Sequence, residues 1–296
     1  MRPCAIAIAL LAALFAACPA SAQEKLNALA SFSILGDVVK NVGGDRLTVD
    51  TLVGPNGNAH TYSPSPADAK KAAAAKIVFV NGLGFEGWLE RLITASASKA
   101  TIVVASNGIR PRERASDHGH SGIDPHAWQS VANVKVYVGN IRDALVKADP
   151  PGKAAYEANA AAYLGKLDAL EQEVKDVIAR IPSDRRRVIT SHNAFGYFED
   201  AYGIRFGAPQ GVSTDAEASA KDVAAIITQV KQQKAAGVFL ENVTDPRLVM
   251  QIASETGTKV GGTLYSDALT EPTGEAPSYI DLIRNNIKQL AGIATN

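Results

Sequence analysis

The chain has 296 residues, 46% hydrophobic and 20% charged, enough apolar material for one large or two ordinary globular cores. Lysine plus arginine and aspartate plus glutamate each number 30, which gives no basic surface for nucleic acid and no polybasic membrane patch.

The chain opens with "MRPCAIAIALLAALFAACPASAQ". One early charge, Arg2, precedes an apolar run to Ala17, and the small residues Ala20, Ser21 and Ala22 follow. This is the pattern of a secretory signal over residues 1–22, with cleavage expected before Gln23. The apolar run is short for a transmembrane span. Removing it takes away Arg2 and leaves 29 basic and 30 acidic residues. It also removes Cys4 and Cys18, so the mature chain has no disulfide and no thiolate metal site. "LFAAC" also reads as a lipidation site at Cys18, but Phe15 fits such a site poorly. The soluble exported form is therefore expected ahead of a lipid anchor at Cys18.

From Leu26 onward, β-rich runs alternate with helical patterns. "LNALASFSIL", "LTVDTLVG", "KIVFVNG" and "TIVVAS" predict strands, with helices after Leu35, Ser65 and Phe85. Ser65 is a good N-cap and Pro66 suits the first helical position. Residues 107–125 lack apolar periodicity and read as a loop. Val131, Val134, Val138, Ile141 and Leu145 then share one helical face, which stops at "ADPP". Residues 152–181 hold no proline, and Tyr156, Ala160, Tyr163, Leu167, Leu170, Val174, Val177 and Ile181 recur at helical spacing. Such a helix spans roughly 45 Å, the breadth of a domain. After Pro182 the alternation restarts, with "RRVIT", "IRFGAPQG", "GVFLEN" and "KVGGTLYS" as strands. Helices are predicted over 195–202, 219–234, 247–256 and 278–291. The pattern predicts two α/β lobes with largely parallel sheets, residues 23–150 and 182–296, joined by a long helix over 151–181. Strand ends facing across the cleft between them are the natural ligand position.

The chain has five histidines, and none sits in a regular apolar pattern. His60, His126 and His192 stand at loop-to-helix or strand-to-helix junctions, and Asp267 follows the last strand pattern. Imidazoles with one carboxylate suit a borderline-soft divalent ion, and four such groups close a tetrahedral shell around zinc. Two would come from each lobe. The same residues equally suit solvated loop histidines and a turn aspartate, and no local spacing separates the two readings.

"GNAHTYSPSP", "NGLGFEGWLERL", "DPHAWQS", "SHNAFGYF" and "LYSDAL", in this order, resemble the metal-binding solute receptors of bacterial ABC importers for zinc and manganese. The resemblance covers essentially the whole mature chain. It implies two lobes bridged by one helix, a metal between them, and His60, His126, His192 and Asp267 as its ligands. It also implies a periplasmic receptor, expected as a monomer, that hands its metal to a membrane permease, with a periplasmic metallochaperone as a further partner. Manganese receptors of this kind tend to carry glutamate where His192 stands. Three imidazoles shift the expectation to Zn2+, ahead of Mn2+.

His118 and His120, in "DHGHSG", are an abbreviated form of the histidine-rich loop of zinc receptors. They are an accessory metal loop or simply an exposed segment. Tyr62, Trp128 and Phe195 flank the ligands and are expected to pack. Glu241, ending a strand, is expected to hydrogen-bond the far nitrogen of a ligand histidine, or else to cap a helix. The competing class is an exported zinc enzyme with His60, His126 and His192 on the metal and Asp267 as base. No H-E-x-x-H motif supports it, and a closed four-ligand shell leaves no position for water. Storage needs more ligands than five histidines supply, and adhesion stays open.

Overall fold

The computed structural model describes residues 25–113 and 122–294. The signal and lipidation readings of residues 1–22, and His118 and His120, lie outside the described residues.

The first lobe begins with β1 (Leu26–Phe32), α1 (Ser33–Gly43) and β2 (Leu47–Val53). It continues with α2 (Pro66–Ala74), β3 (Ile77–Val80), α3 (Leu89–Ser96) and β4 (Thr101–Val104). These strands form a parallel sheet in the order β2-β1-β3-β4. β1 is shorter than its apolar run suggests, because "SIL" turns into α1 and buries Ser33, Ile34 and Leu35 there. α2 starts with a full capping box: Ser65 Oγ accepts from the Asp68 amide while Asp68 accepts from the Ser65 amide.

The stretch expected as loop contains a short antiparallel pair, β5 (Arg112–Glu113) with β6 (Ile123–Asp124), in which Arg112 faces Asp124. Two-residue strands are too short to show any period in a sequence. α4 (Val131–Ala148) follows, then a 3-10 turn over Pro150–Gly152, then α5 (Lys153–Ala179). At 27 residues α5 is about 40 Å long. Its buried face is the expected one as far as Val174, after which Ile178 rather than Val177 turns inward. α5 packs on α1 and α4 of the first lobe and on α9 of the second.

The second lobe comprises β7 (Arg187–Ile189), α6 (Gly196–Tyr202), β8 (Arg205–Gly207) and α7 (Ala220–Gln233). β9 (Gly237–Glu241), α8 (Arg247–Thr256), β10 (Val260–Leu264) and α9 (Tyr279–Ala294) complete it. Its parallel sheet has the order β10-β9-β7-β8.

The lobes share one apolar core. A single cluster runs from Leu29 and Phe79 through Trp128 and Leu167 to Phe239 and Leu282. A smaller cluster under α7 and α8 includes Ile226, Val238 and Ile252. Polar bonds reinforce the seam: the Tyr279 amide donates to Asp37 Oδ2 at 3.0 Å and its hydroxyl to the Trp128 carbonyl at 2.8 Å. Among the described residues no helix is long and apolar enough to cross a membrane.

Candidate metal centre

Parallel sheets leave the loops beyond their strand carboxyl ends free to carry function. His60 sits in the β2–α2 loop, His126 just after β6, His192 just after β7 and Asp267 just after β10. The structure brings all four together, with one ligand atom from each lying within 4.8 Å of every other. His126, His192 and Asp267 are fully buried, and the His60 side chain is 4% exposed.

The spacing fits one small cation. Asp267 Oδ2 lies 3.3 Å from His60 Nε2 and 3.2 Å from His192 Nε2, and Oδ1 lies 3.5 Å from His126 Nε2. His60 and His126 bring their Nε2 atoms to 3.2 Å. A tetrahedron with zinc–nitrogen bonds near 2.05 Å has edges of about 3.3 Å. His192 Nε2 and both Asp267 oxygens are buried with no properly aligned hydrogen-bond partner. Buried polar atoms are ordinarily satisfied, so their convergence on one point fits a ligand set for a cation.

Two ligand imidazoles, those of His126 and His192, are held from behind by carboxylates. His126 Nδ1 is 2.8 Å from Asp124 Oδ1, and His192 Nδ1 is 2.6 Å from Glu241 Oε2. Carboxylates placed there fix the proton on Nδ1 and leave the Nε2 lone pair free for a metal. Glu241 Oε1 also accepts from the Ser191 and His192 amides at 2.7 and 3.0 Å, which locks the strand end. The His60 amide donates to Asn58 Oδ1 at 3.0 Å. Ser266, next to Asp267, offers its carbonyl to Trp128 Nε1 at 2.8 Å and to Gln129 Nε2 at 2.7 Å. A residue neighbouring one lobe's carboxylate is thus tied to the other lobe, two and three residues past His126.

Electrostatics follow from this crowding. Burial disfavours the charged form of Asp267, but the nearby imidazoles of His192 first, then His126, and the close approach of His60 outweigh it. Its carboxyl is held well below the usual carboxylate range. Burial also opposes charge on His192, yet Glu241 and then Asp267 raise its pKa well above the ordinary histidine value. His60 has only Asp267 to offset its burial, and its pKa falls. A proton in the metal-free centre therefore prefers His192, which lies between two carboxylates.

The three aromatic residues expected to pack all do so. Trp128 packs its ring 5.2 Å from that of His126. Tyr62 packs on Trp88 and donates to Asp68, and Phe195 stacks on Phe206. Phe85, which sequence reasoning passed over, lies 4.9 Å from the His60 ring. Asp124 was also missed, although a carboxylate two residues before a candidate ligand is the one available signal.

The family model described as "Zinc-uptake complex component A periplasmic" matches residues 29–293. The "Manganese-binding lipoprotein MntA" of Halalkalibacterium halodurans is 35% identical over 266 residues, covering 89% of this chain and 87% of the relative. The "Manganese ABC transporter substrate-binding lipoprotein PsaA" of Streptococcus pneumoniae is 29% identical over 278 residues, 92% of this chain and 90% of the relative. The solved structure of the periplasmic zinc binding protein TroA from Treponema pallidum superposes with a TM-score of 0.85 at 26% identity, over 91% of this chain and 99% of that one.

Proposed function

This chain belongs to the family of the periplasmic zinc-uptake component A, and we propose that it captures one Zn2+ between its lobes on His60, His126, His192 and Asp267. The coarser role is plain from the family: it is a metal-binding, substrate-binding protein of an ABC importer and not an enzyme. Its partner is accordingly the membrane permease and ATPase of that importer.

The observation that carries the zinc reading is the donor set: three imidazole nitrogens and one carboxylate converge, with carboxylate oxygens 3.2 to 3.5 Å from the three nitrogens and His60 3.2 Å from His126. Neutral imidazole favours zinc over the harder manganese ion. The names of MntA and PsaA favour a second reading, manganese as the physiological cargo. The order of intrinsic affinities places zinc above manganese at any nitrogen-bearing site, so availability outside the cell also decides.

Competition between Zn2+ and Mn2+ for the chelator-stripped chain tests the reading, in wild type and in His192→Glu. Tight zinc with weak manganese, shifted toward manganese by the substitution, supports it. A zinc-to-manganese preference indifferent to residue 192 overturns the ligand assignment.

Export is common to both groups of relatives, one named periplasmic and the other named as lipoproteins. The lipoprotein names correct the expected order of the two mature forms. Lipid attachment at Cys18 now stands ahead of a free chain cut before Gln23.

A further inference from the structure

Resting on the metal-centre reading, we propose that Arg112, backed by Gly196, is a positioning residue that couples helix α6 of the second lobe to the ligand His126 of the first.

Asp124 is the intermediary. It is fully buried, and its Oδ1 takes both the His126 amide, at 3.0 Å, and His126 Nδ1, at 2.8 Å. Its Oδ2 has no hydrogen-bond partner and faces Arg112 Nη1 at 3.5 Å. Arg112 stands directly opposite Asp124 in the β5–β6 pair. A buried carboxylate with one vacant oxygen is costly unless a cation lies near it. Arg112 supplies that cation and holds the carboxylate so that Oδ1 keeps its grip on the imidazole.

Arg112 in turn belongs to both lobes. Its amide donates to the Tyr197 hydroxyl at 2.8 Å, and its Nε donates to Asp200 Oδ2 at 2.9 Å. Both partners lie on α6, whose first residue is Gly196. A Cβ on Gly196 would stand 2.4 Å from Arg112 Nη1 and 2.5 Å from Asp124 Oδ2. A side chain at Gly196 would have to push the Arg112 guanidinium or the Asp124 carboxylate aside. Gly196 follows His192 by four residues, so the segment that presents one ligand also braces the carboxylate that aims another.

Replacing Arg112 leaves the four metal-contacting atoms intact but frees Asp124 to turn from His126. Loss of such an outer partner weakens metal binding by roughly 10- to 100-fold. Arg112→Ala and Gly196→Ala are both expected to weaken zinc in this range, measured by chelator competition, with Arg112→Lys intermediate. Co2+ placed in the site should show an altered visible spectrum in both. The decisive measurement is a double-mutant cycle with Asp124→Asn. The asparagine amide has no charge for Arg112 to balance, so Arg112→Ala in that background should cost nothing further. Equal costs of Arg112→Ala in both backgrounds overturn the proposal, since a merely structural Arg112 acts independently of Asp124. His126→Ala is the control for the underlying reading. If His126→Ala binds zinc like wild type, the centre itself is misassigned. If His126→Ala loses zinc while Arg112→Ala and Gly196→Ala match wild type, only the role of Arg112 falls.

Discussion

Substituting Glu241 by glutamine separates charge from shape at the back of His192. Glu241 ends β9 and is 4% exposed. One oxygen serves two backbone amides and the other faces His192 Nδ1 at 2.6 Å. An amide satisfies one side only. If its oxygen stays on the Ser191 and His192 amides, its NH2 confronts Nδ1, which must then accept. The imidazole proton moves to Nε2, the atom that faces Asp267, and the lone pair needed for a metal is lost. If the amide turns over, its NH2 meets two backbone donors instead. Either way the carboxylate charge behind His192 is lost, an interaction of the class worth about 1.5–3 kcal/mol. We expect zinc affinity to fall roughly 10- to 100-fold. Chelator competition measures the affinity, and thermal unfolding of the metal-free variant checks that the fold survives. Affinity indistinguishable from wild type in a folded Glu241→Gln protein would refute the idea that this carboxylate sets the tautomer of His192.

Removing a ligand outright should cost more: His60→Ala and His192→Ala are each expected to lose tight zinc, read by metal stoichiometry after dialysis. Metal uptake at neutral pH should release a proton, because His192 is raised well above 6.5 by Glu241 and Asp267 and holds a proton there without metal. Calorimetry in buffers of different ionisation heat counts that proton, and zinc affinity equal at about pH 5 and about pH 7.5 would contradict imidazole ligation. The same shift has the opposite sign for stability of the metal-free fold. Its contribution is fully present below the unfolded value of 6.5 and is lost as pH rises through the raised folded value, which urea melts across that window detect. Solution scattering should find a radius of gyration of roughly 19 Å that barely changes with metal, and a large change would show that the lobes part. Intact mass of the exported protein should begin at a lipid-bearing Cys18, whereas a chain starting at Gln23 would restore the free form.

The strand–helix alternation was legible because each element is long enough to show its period, and α5 is the clearest case: seven buried positions at three- and four-residue steps. His60, His126 and His192 stood out as candidates because they interrupt no apolar pattern, but only the resemblance of the five motifs marked them as ligands rather than solvated loop residues. What supports them was less visible. Glu241 stood out as a carboxylate ending an apolar strand. Asp124, before Pro125, looks like any turn residue, and Arg112 looks like any loop cation. Their pairing depends on two strands of two residues each and on Gly196 from the other lobe, a contact between residues 84 positions apart in the chain. No local pattern encodes that. The identity of the metal is hidden for another reason: imidazole and carboxylate serve zinc, manganese and iron alike, and the difference lies in how the donor set is tuned.

The same supporting bonds bear on how metal leaves. Wide separation of the lobes would break the Trp128 and Gln129 bonds to Ser266, the Tyr279 bonds to Asp37 and Trp128, and a continuous apolar core. None of these contacts involves the metal, so its departure gives no reason for them to break. The His60 loop differs from the other three ligand segments. His60 lines a cavity of about 280 Å³ together with Leu83, Phe85, Ser213 and Asp215. A few hydrogen bonds hold its loop across the seam, chiefly the Asn56 amide to the Leu269 carbonyl at 2.8 Å, and Asn58 to Thr214 at 2.9 Å and to the Val243 carbonyl at 3.2 Å. Individual hydrogen bonds of this kind contribute about 1 kcal/mol each, far less than a shared core. The weakest side of the centre is therefore the His60 side. A permease docking there needs to displace one loop, not to pull apart two lobes.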